Sequence, residues 1–255
     1  MVVNSNIVKM NTLIEWPAAS PNPSIEYGVV HVWAWDFKCS EEELHLYSTL
    51  LAPEEQYRLQ RFHFERDRVR YAVSHAILRI LLGRYLGLPP ASVSFTKNRF
   101  GKPNLIPSLT PSKLNFNLSH TNRVALLAIV LDLEVGVDLE ELNPIEAEIA
   151  ERYFSERERT DLGNLKAAQW LEGFYNCWTR KEAILKAEGI GLNVKLDGFD
   201  VTLRPDDRAT LLGFNPEAGV SLKWHLSQLR PARGFVGALA TSSVPKSVAC
   251  YHFVG

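Results

Sequence analysis

At 255 residues with 46% hydrophobic content, the chain carries enough apolar material for one large domain or two small ones with a filled core. Its 28 basic and 29 acidic residues leave a net charge of -1, so no whole-molecule field draws nucleic acid or an anionic membrane, and any anion site must be a local patch. The three cysteines, Cys39, Cys177 and Cys250, are widely spaced and form no CxxC or His-paired metal pattern, which fits packing roles and a reduced, cytoplasmic setting.

Along the chain, residues 1–24, with Pro17, Pro21 and Pro23, read as a loose lead-in without a basic segment followed by an apolar stretch, so no export signal is expected. Gly28-Val-Val-His-Val-Trp-Ala-Trp alternates like a strand. From Asp67 onward Val69, Ala72, Val73, Ala76, Ile77, Ile80 and Leu81 fall at helical spacing, and Gly87 with Pro89 and Pro90 ends that helix. After a Pro-rich stretch, Leu114-Asn-Phe-Asn-Leu-Ser alternates as a half-buried strand, and the apolar run Val124 to Val130 predicts a strand buried on both faces. Neither that run nor the helix near Ile80 is long and apolar enough to span a bilayer. The segments Lys223 to Leu226 and Gly234 to Thr241 read as late antiparallel strands, which makes the class α+β. Arg61-Phe-His-Phe-Glu-Arg-Asp is echoed by Arg152-Tyr-Phe-Ser-Glu-Arg-Glu, each ahead of a long helical stretch ending in glycine, which suggests two similar halves, residues 25–131 and 132–255, although chance or a shared helix-start preference explains one such echo as well.

Three groups of residues carry chemistry. In Val135-Gly-Val-Asp-Leu-Glu-Glu, strand alternation puts Val135, Val137 and Leu139 on one face and Gly136, Asp138 and Glu140 on the other. Two carboxylates projecting from a rigid strand suit a hard divalent ion, although a half-exposed strand with solvent-facing acids gives the same pattern. In Phe174-Tyr-Asn-Cys-Trp-Thr-Arg-Lys-Glu-Ala-Ile-Leu-Lys, Lys181 and Glu182 follow Trp178 by three and four positions on the apolar stripe, and Lys186 follows Glu182 by four. That spacing serves a site or an ordinary surface ion pair. The third group is cationic. Arg58, Arg61, Arg66, Arg68 and Arg70 could grip phosphate or lace a solvated helix face, and Lys102, Ser119 and His120 stand near strand ends. No Walker-type or G-x-G-x-x-G loop occurs.

Taken in order, Gly101-Lys-Pro, Phe116-Asn-Leu-Ser-His, Gly136-Val-Asp-Leu-Glu and Trp178-Thr-Arg-Lys-Glu-Ala-Ile-Leu-Lys resemble the signatures of the 4'-phosphopantetheinyl transferases of the surfactin-synthetase-activating (Sfp) type. The resemblance covers about Arg58 to Leu192. It implies two α+β halves related by a pseudo-twofold axis, with coenzyme A in the cleft between them. It also implies Mg²⁺ held by Asp138, Glu140 and Glu182, with Lys186 on the phosphates and Glu182 a candidate base. Arg58, Arg70, Lys102, Ser119, His120, Asp138, Lys181 and Lys186 become expected coenzyme-binding residues. Glu55 stands where the family pattern has a basic residue, and Tyr71 where it has a small hydroxyl. The implied acceptor is an apo acyl carrier protein, or a carrier domain of a fatty acid, polyketide or peptide synthase. It would be read by the segment Asn143 to Gln169 with a basic rim of Arg152, Arg157, Arg159 and Lys166, by a monomeric enzyme. A non-catalytic module that binds coenzyme A or a carrier protein is the alternative.

Overall fold

The computed structural model describes residues 14–19, 23–109, 113–190, 194–214 and 223–254. The first strand, β1 (Val29–Asp36), is followed by two short helices, α1 (Glu41–Thr49) and α2 (Pro53–Gln60), and by the long α3 (Glu65–Leu86). A small hairpin, β2 (Phe95–Lys97) and β3 (Pro103–Leu105), leads to β4 (Leu114–His120) and β5 (Val124–Leu131). The same order then repeats with β6 (Val135–Glu141), α4 (Glu148–Tyr153), α5 (Glu156–Gly163), the long α6 (Ala167–Glu188), the hairpin β7 (Phe199–Val201) and β8 (Leu211–Phe214), then β9 (His225–Leu229) and β10 (Phe235–Thr241). Strand order repeats as well, β1-β5-β4 in one sheet and β6-β10-β9 in the other. The α+β class and the two similar halves are thus present in the connectivity itself.

The seven-residue echo is a different matter. Its first copy runs into α3, the third helix of its half, and its second into α5, the second helix of the other. Ser155 caps α5 through a reciprocal box with Glu158, whereas Phe64 at the head of α3 offers no side-chain cap. The echo marks two helix starts and is out of register with the structural repeat.

The two sheets face each other across a shared core. From β1, Val30, Val32 and Ala34 meet Val135, Val137 and Leu139 of β6 there, together with the inward residues of β5 and β10. The opposite face of the first sheet, with Trp33, Trp35, Leu127 and Ile129, packs on α3, and Val236, Ala238 and Ala240 of the second pack on α6. β5 is buried at every position, because its alternate residues serve two cores. The layers are therefore helix, sheet, sheet, helix.

Two local features depart from the expected outline. β11 (Ser247–His252), from the end of the chain, pairs in parallel with β1 and so completes the first half's sheet. Residues 1–13 and 20–22 of the expected loose lead-in lie outside the described residues, but Ile14 is buried in the shared core and Ala18 bridges His252. The segment 14–19 is thus docked. The late strand expected from Lys223 begins at His225, because Trp224 is buried and donates Nε1–H to Glu188 Oε1 at 2.6 Å. No helix among the described residues is long and apolar enough to cross a membrane.

Candidate active site

The site forms where β6 meets α6, and Gly136 is what allows the contact. A Cβ at Gly136 would lie 2.1 Å from the Ala183 carbonyl oxygen and 2.3 Å from the Ala187 nitrogen, so only glycine lets the strand lie against that helix backbone. Two residues on, along the same face, stands Asp138, which is 4% exposed. Its Oδ1 accepts from Lys186 Nζ at 2.7 Å and from Ser119 Oγ at 3.1 Å, and Lys186 Nζ also donates to Ser119 Oγ at 2.8 Å. Ser119 belongs to β4, so this triangle joins the two halves. Asn117, on the same strand, accepts the Val137 N–H at 2.9 Å and ties β4 to β6 between the two sheets.

The expected carboxylates share one electrostatic environment. Burial, then the nearby Asp138 carboxylate, pushes the Glu140 carboxyl up to about 7, with Lys186 opposing the shift. Burial and Asp138 also raise Glu182, again against Lys186. Asp138 Oδ2 is buried and has no hydrogen-bond partner. Among the described residues no group of three or more His, Cys, Asp or Glu side chains stands close enough together to hold a metal ion, and the ammonium of Lys186 is the cation at Asp138. The donor set still suits a hard divalent cation: three carboxylates whose charged forms repel one another, and one buried oxygen left without a donor.

Beside these acids is a cleft of about 350 Å³ lined by Arg70, His120, Thr121, Asn122, Glu140, Glu141 and Asn143. Arg70 donates to Asn122 Oδ1 and Asp67 Oδ1 and is half-buried. His120 stands at the end of β4; partial burial of its imidazole, then the charge of Arg70, lowers its pKa against a backbone hydrogen bond at Thr121, with Lys186 and His75 adding to the lowering. The structure thus brings Arg70, Ser119, His120, Asp138, Glu140, Glu182 and Lys186 to one place.

Three expected contacts stand elsewhere. Lys181 is 1% exposed and its ammonium is held in the core, away from the site. Its Nζ pairs with Glu158 at 2.7 Å and donates to the Leu196 and Phe199 carbonyls at 2.6 and 2.5 Å. Neighbouring helical residues diverge by about 100°, so Glu182 opens to the site while Lys181 fills the core. Lys102 is the second. Gly101, at φ 91°, turns the β2–β3 hairpin so that Lys102 Nζ reaches the Ala187 and Val135 carbonyls at 2.9 and 3.1 Å, and Asn98 Nδ2 reaches the Gly189 carbonyl at 2.7 Å. Lys102 therefore clasps the last turn of α6, where main-chain carbonyls lack helical partners. Arg58 is the third. It is exposed, lies 5.4 Å from the Tyr71 ring, and lines a separate hollow of about 430 Å³ with Tyr57, Arg61 and Phe62.

Sequence reasoning missed Glu158 and the partners of Glu55. A signal for Glu158 existed in Ser155-x-x-Glu158, a helix-start pair, although it does not announce the lysine. Glu55 accepts from His75 Nδ1 at 2.8 Å, Arg79 Nε at 2.7 Å and the Ala52 amide at 2.8 Å. The acid at that position is thus matched by the Arg79 guanidinium and by hydrogen bonds from His75 and the Ala52 amide.

The comparisons with known proteins fall on the same two halves. Residues 34–131 match the family model described as 4'-phosphopantetheinyl transferase, N-terminal, and residues 134–240 match that of the 4'-phosphopantetheinyl transferase superfamily. The chain is 33% identical to 4'-phosphopantetheinyl transferase HetI of Nostoc sp., over 93% of its own length and 98% of that protein. It is 32% identical to 4'-phosphopantetheinyl transferase Sfp of Bacillus subtilis, over 69% of its own length and 77% of that protein.

Proposed function

Because the chain belongs to the 4'-phosphopantetheinyl transferase superfamily, we propose that it moves the 4'-phosphopantetheine arm of coenzyme A onto a serine hydroxyl of an apo carrier protein, releasing 3',5'-ADP, as a magnesium-dependent enzyme of the holo-carrier synthase kind. The observation that carries this reading is the buried Asp138, with its unpartnered oxygen, set beside Glu140, Glu182 and Lys186 at the edge of a cleft that also holds Arg70 and His120.

The reaction needs charge neutralised on a diphosphate and a weak alcohol nucleophile positioned and deprotonated. Asp138, Glu140 and Glu182 would hold Mg²⁺, which when bound neutralises diphosphate charge and polarises the phosphorus under attack. Lys186 supplies a cation for the leaving phosphate as negative charge builds on it. Glu182, whose carboxyl is raised by burial and by Asp138, can also accept the serine proton. Arg70 and His120 line the cleft as donors for the phosphates of the coenzyme. The carrier would dock on α4, α5 and the start of α6, where Arg152, Arg157 and Lys166 are exposed and Arg159 is partly engaged by Glu151 at 3.0 Å. A reduced cytoplasmic setting and a monomer complete this reading.

The test is release of 3',5'-ADP from coenzyme A, followed by liquid chromatography. Release that requires both Mg²⁺ and an apo carrier supports the proposal. Coenzyme A that binds but is never cleaved across fatty acid, polyketide and peptide carriers would contradict it and leave a binding module.

A further inference from the structure

We propose that the Lys186 ammonium is the resident counterion of the carboxylate pocket, and that a divalent cation enters by displacing it from Asp138. This rests on the metal-assisted reading above.

Lys186, Asp138 and Ser119 form a closed triangle, with the ammonium 2.7 Å from Asp138 Oδ1 and 2.8 Å from Ser119 Oγ, and the hydroxyl 3.1 Å from the same carboxylate oxygen. That arrangement neutralises a carboxylate that would otherwise be buried and unpaired. It leaves the second oxygen of Asp138 without a partner. The charge of Asp138 is therefore balanced by a side chain of the same chain. A divalent cation on the same carboxylate would stand close to that ammonium, and like charges about 4 Å apart repel in a partly buried site.

The asymmetry of the pair says which partner moves. The side chain of Asp138 is 6% exposed and fixed on a strand between two sheets, whereas that of Lys186 is 30% exposed and carries a flexible four-carbon stem. Glu182 stands one helical turn before Lys186 on the same face, so a cation drawn to Asp138 and Glu182 meets the ammonium directly. Once displaced, the ammonium is free at the mouth of the site, where an anionic substrate can take the place of Asp138. Cation and coenzyme then favour each other's binding through this one lysine, since each relieves the cost the other creates.

Two measurements on the full chain without coenzyme test the exchange. Mn²⁺ titration followed by electron paramagnetic resonance gives the dissociation constant of the metal alone, and Lys186→Met lowers it by roughly tenfold, because no ammonium competes for Asp138. Labelling of the wild-type protein with an amine-reactive reagent, read by peptide mass spectrometry, shows faster modification of Lys186 at saturating Mg²⁺ than without metal. This second experiment stands whether or not the variant folds. Metal that binds while Lys186 stays equally or better protected overturns the exchange and leaves the metal reading intact. No metal binding to either protein, together with phosphopantetheine transfer untouched by EDTA, overturns the metal reading itself.

Discussion

Gly136 offers the sharpest perturbation of this fold, since it permits the close approach of the strand and helix that carry the acids. In Gly136→Ala the new Cβ starts 2.1 Å from the Ala183 carbonyl oxygen, 2.3 Å from the Ala187 nitrogen and 2.9 Å from its Cα. All three are main-chain atoms, so no side chain can turn away, and α6 or β6 must retreat by roughly 1 Å or more to restore van der Waals separation. Overpacking of this kind costs about 1–3 kcal/mol. At the upper end, a chain of this size loses about 6–12 °C in Tm. Displacement of α6 also moves Glu182 and Lys186 relative to Asp138, and a misplacement of about 1 Å at a reacting centre can cost on the order of a hundredfold in rate. Thermal denaturation followed by circular dichroism, with initial transfer rates measured well below the melting range, reads both effects. Gly163→Ala at the end of α5, where an added Cβ meets nothing within 4 Å, is the control and should leave Tm unchanged or slightly raised. A Gly136→Ala protein that melts within about 2 °C of wild type and keeps its rate would refute the close-packing account.

Two further predictions concern charges outside the cleft. Lys181→Met leaves Glu158, itself 1% exposed, as an unpaired buried carboxylate, and should cost about 3–5 kcal/mol in urea denaturation; adding Glu158→Gln should recover part of that loss. A single variant as stable as wild type would show that the pair does not hold α6 in place. Burial alone would raise the Glu55 carboxyl, but hydrogen bonds from His75, Arg79 and the Ala52 amide outweigh it and hold the pKa at about 2, against an ordinary value of 4.5. A depressed carboxyl adds stability that is complete above the ordinary value and is lost as pH falls through about 2. The stability gap between wild type and Glu55→Gln should therefore be about 1–3 kcal/mol above pH 5, allowing for partial solvent screening, and should shrink toward zero near pH 2. A gap that does not change with pH would contradict the assignment.

Much of the site was legible because it rests on short periodicities. Period-two alternation put Asp138 and Glu140 on one face of β6, and the four-residue spacing of Glu182 and Lys186 put both on the partly open face of α6. The double burial of β5 followed from its unbroken apolar run. What the sequence hid depends on partners far along the chain. Lys181 next to Glu182 looks like one functional pair until Glu158 and the carbonyls of Leu196 and Phe199 claim the lysine. Lys102 reads as a phosphate ligand until the carbonyl of Ala187, 85 positions away, takes its ammonium. The parallel pairing of β11 with β1 joins the two ends of the chain and leaves no local trace, and the repeat lies in the order of elements and strands, whereas the one visible echo matches unlike helices.

The most direct measurement of the central claim is the intact mass of an apo acyl carrier protein after incubation with coenzyme A, Mg²⁺ and this protein, wild type or Asp138→Asn. The account predicts that wild type adds the mass of one phosphopantetheine to the carrier serine, that EDTA abolishes the gain, and that Asp138→Asn, still folded by circular dichroism, adds none at the same enzyme concentration. A folded Asp138→Asn protein that modifies the carrier as fast as wild type would contradict it.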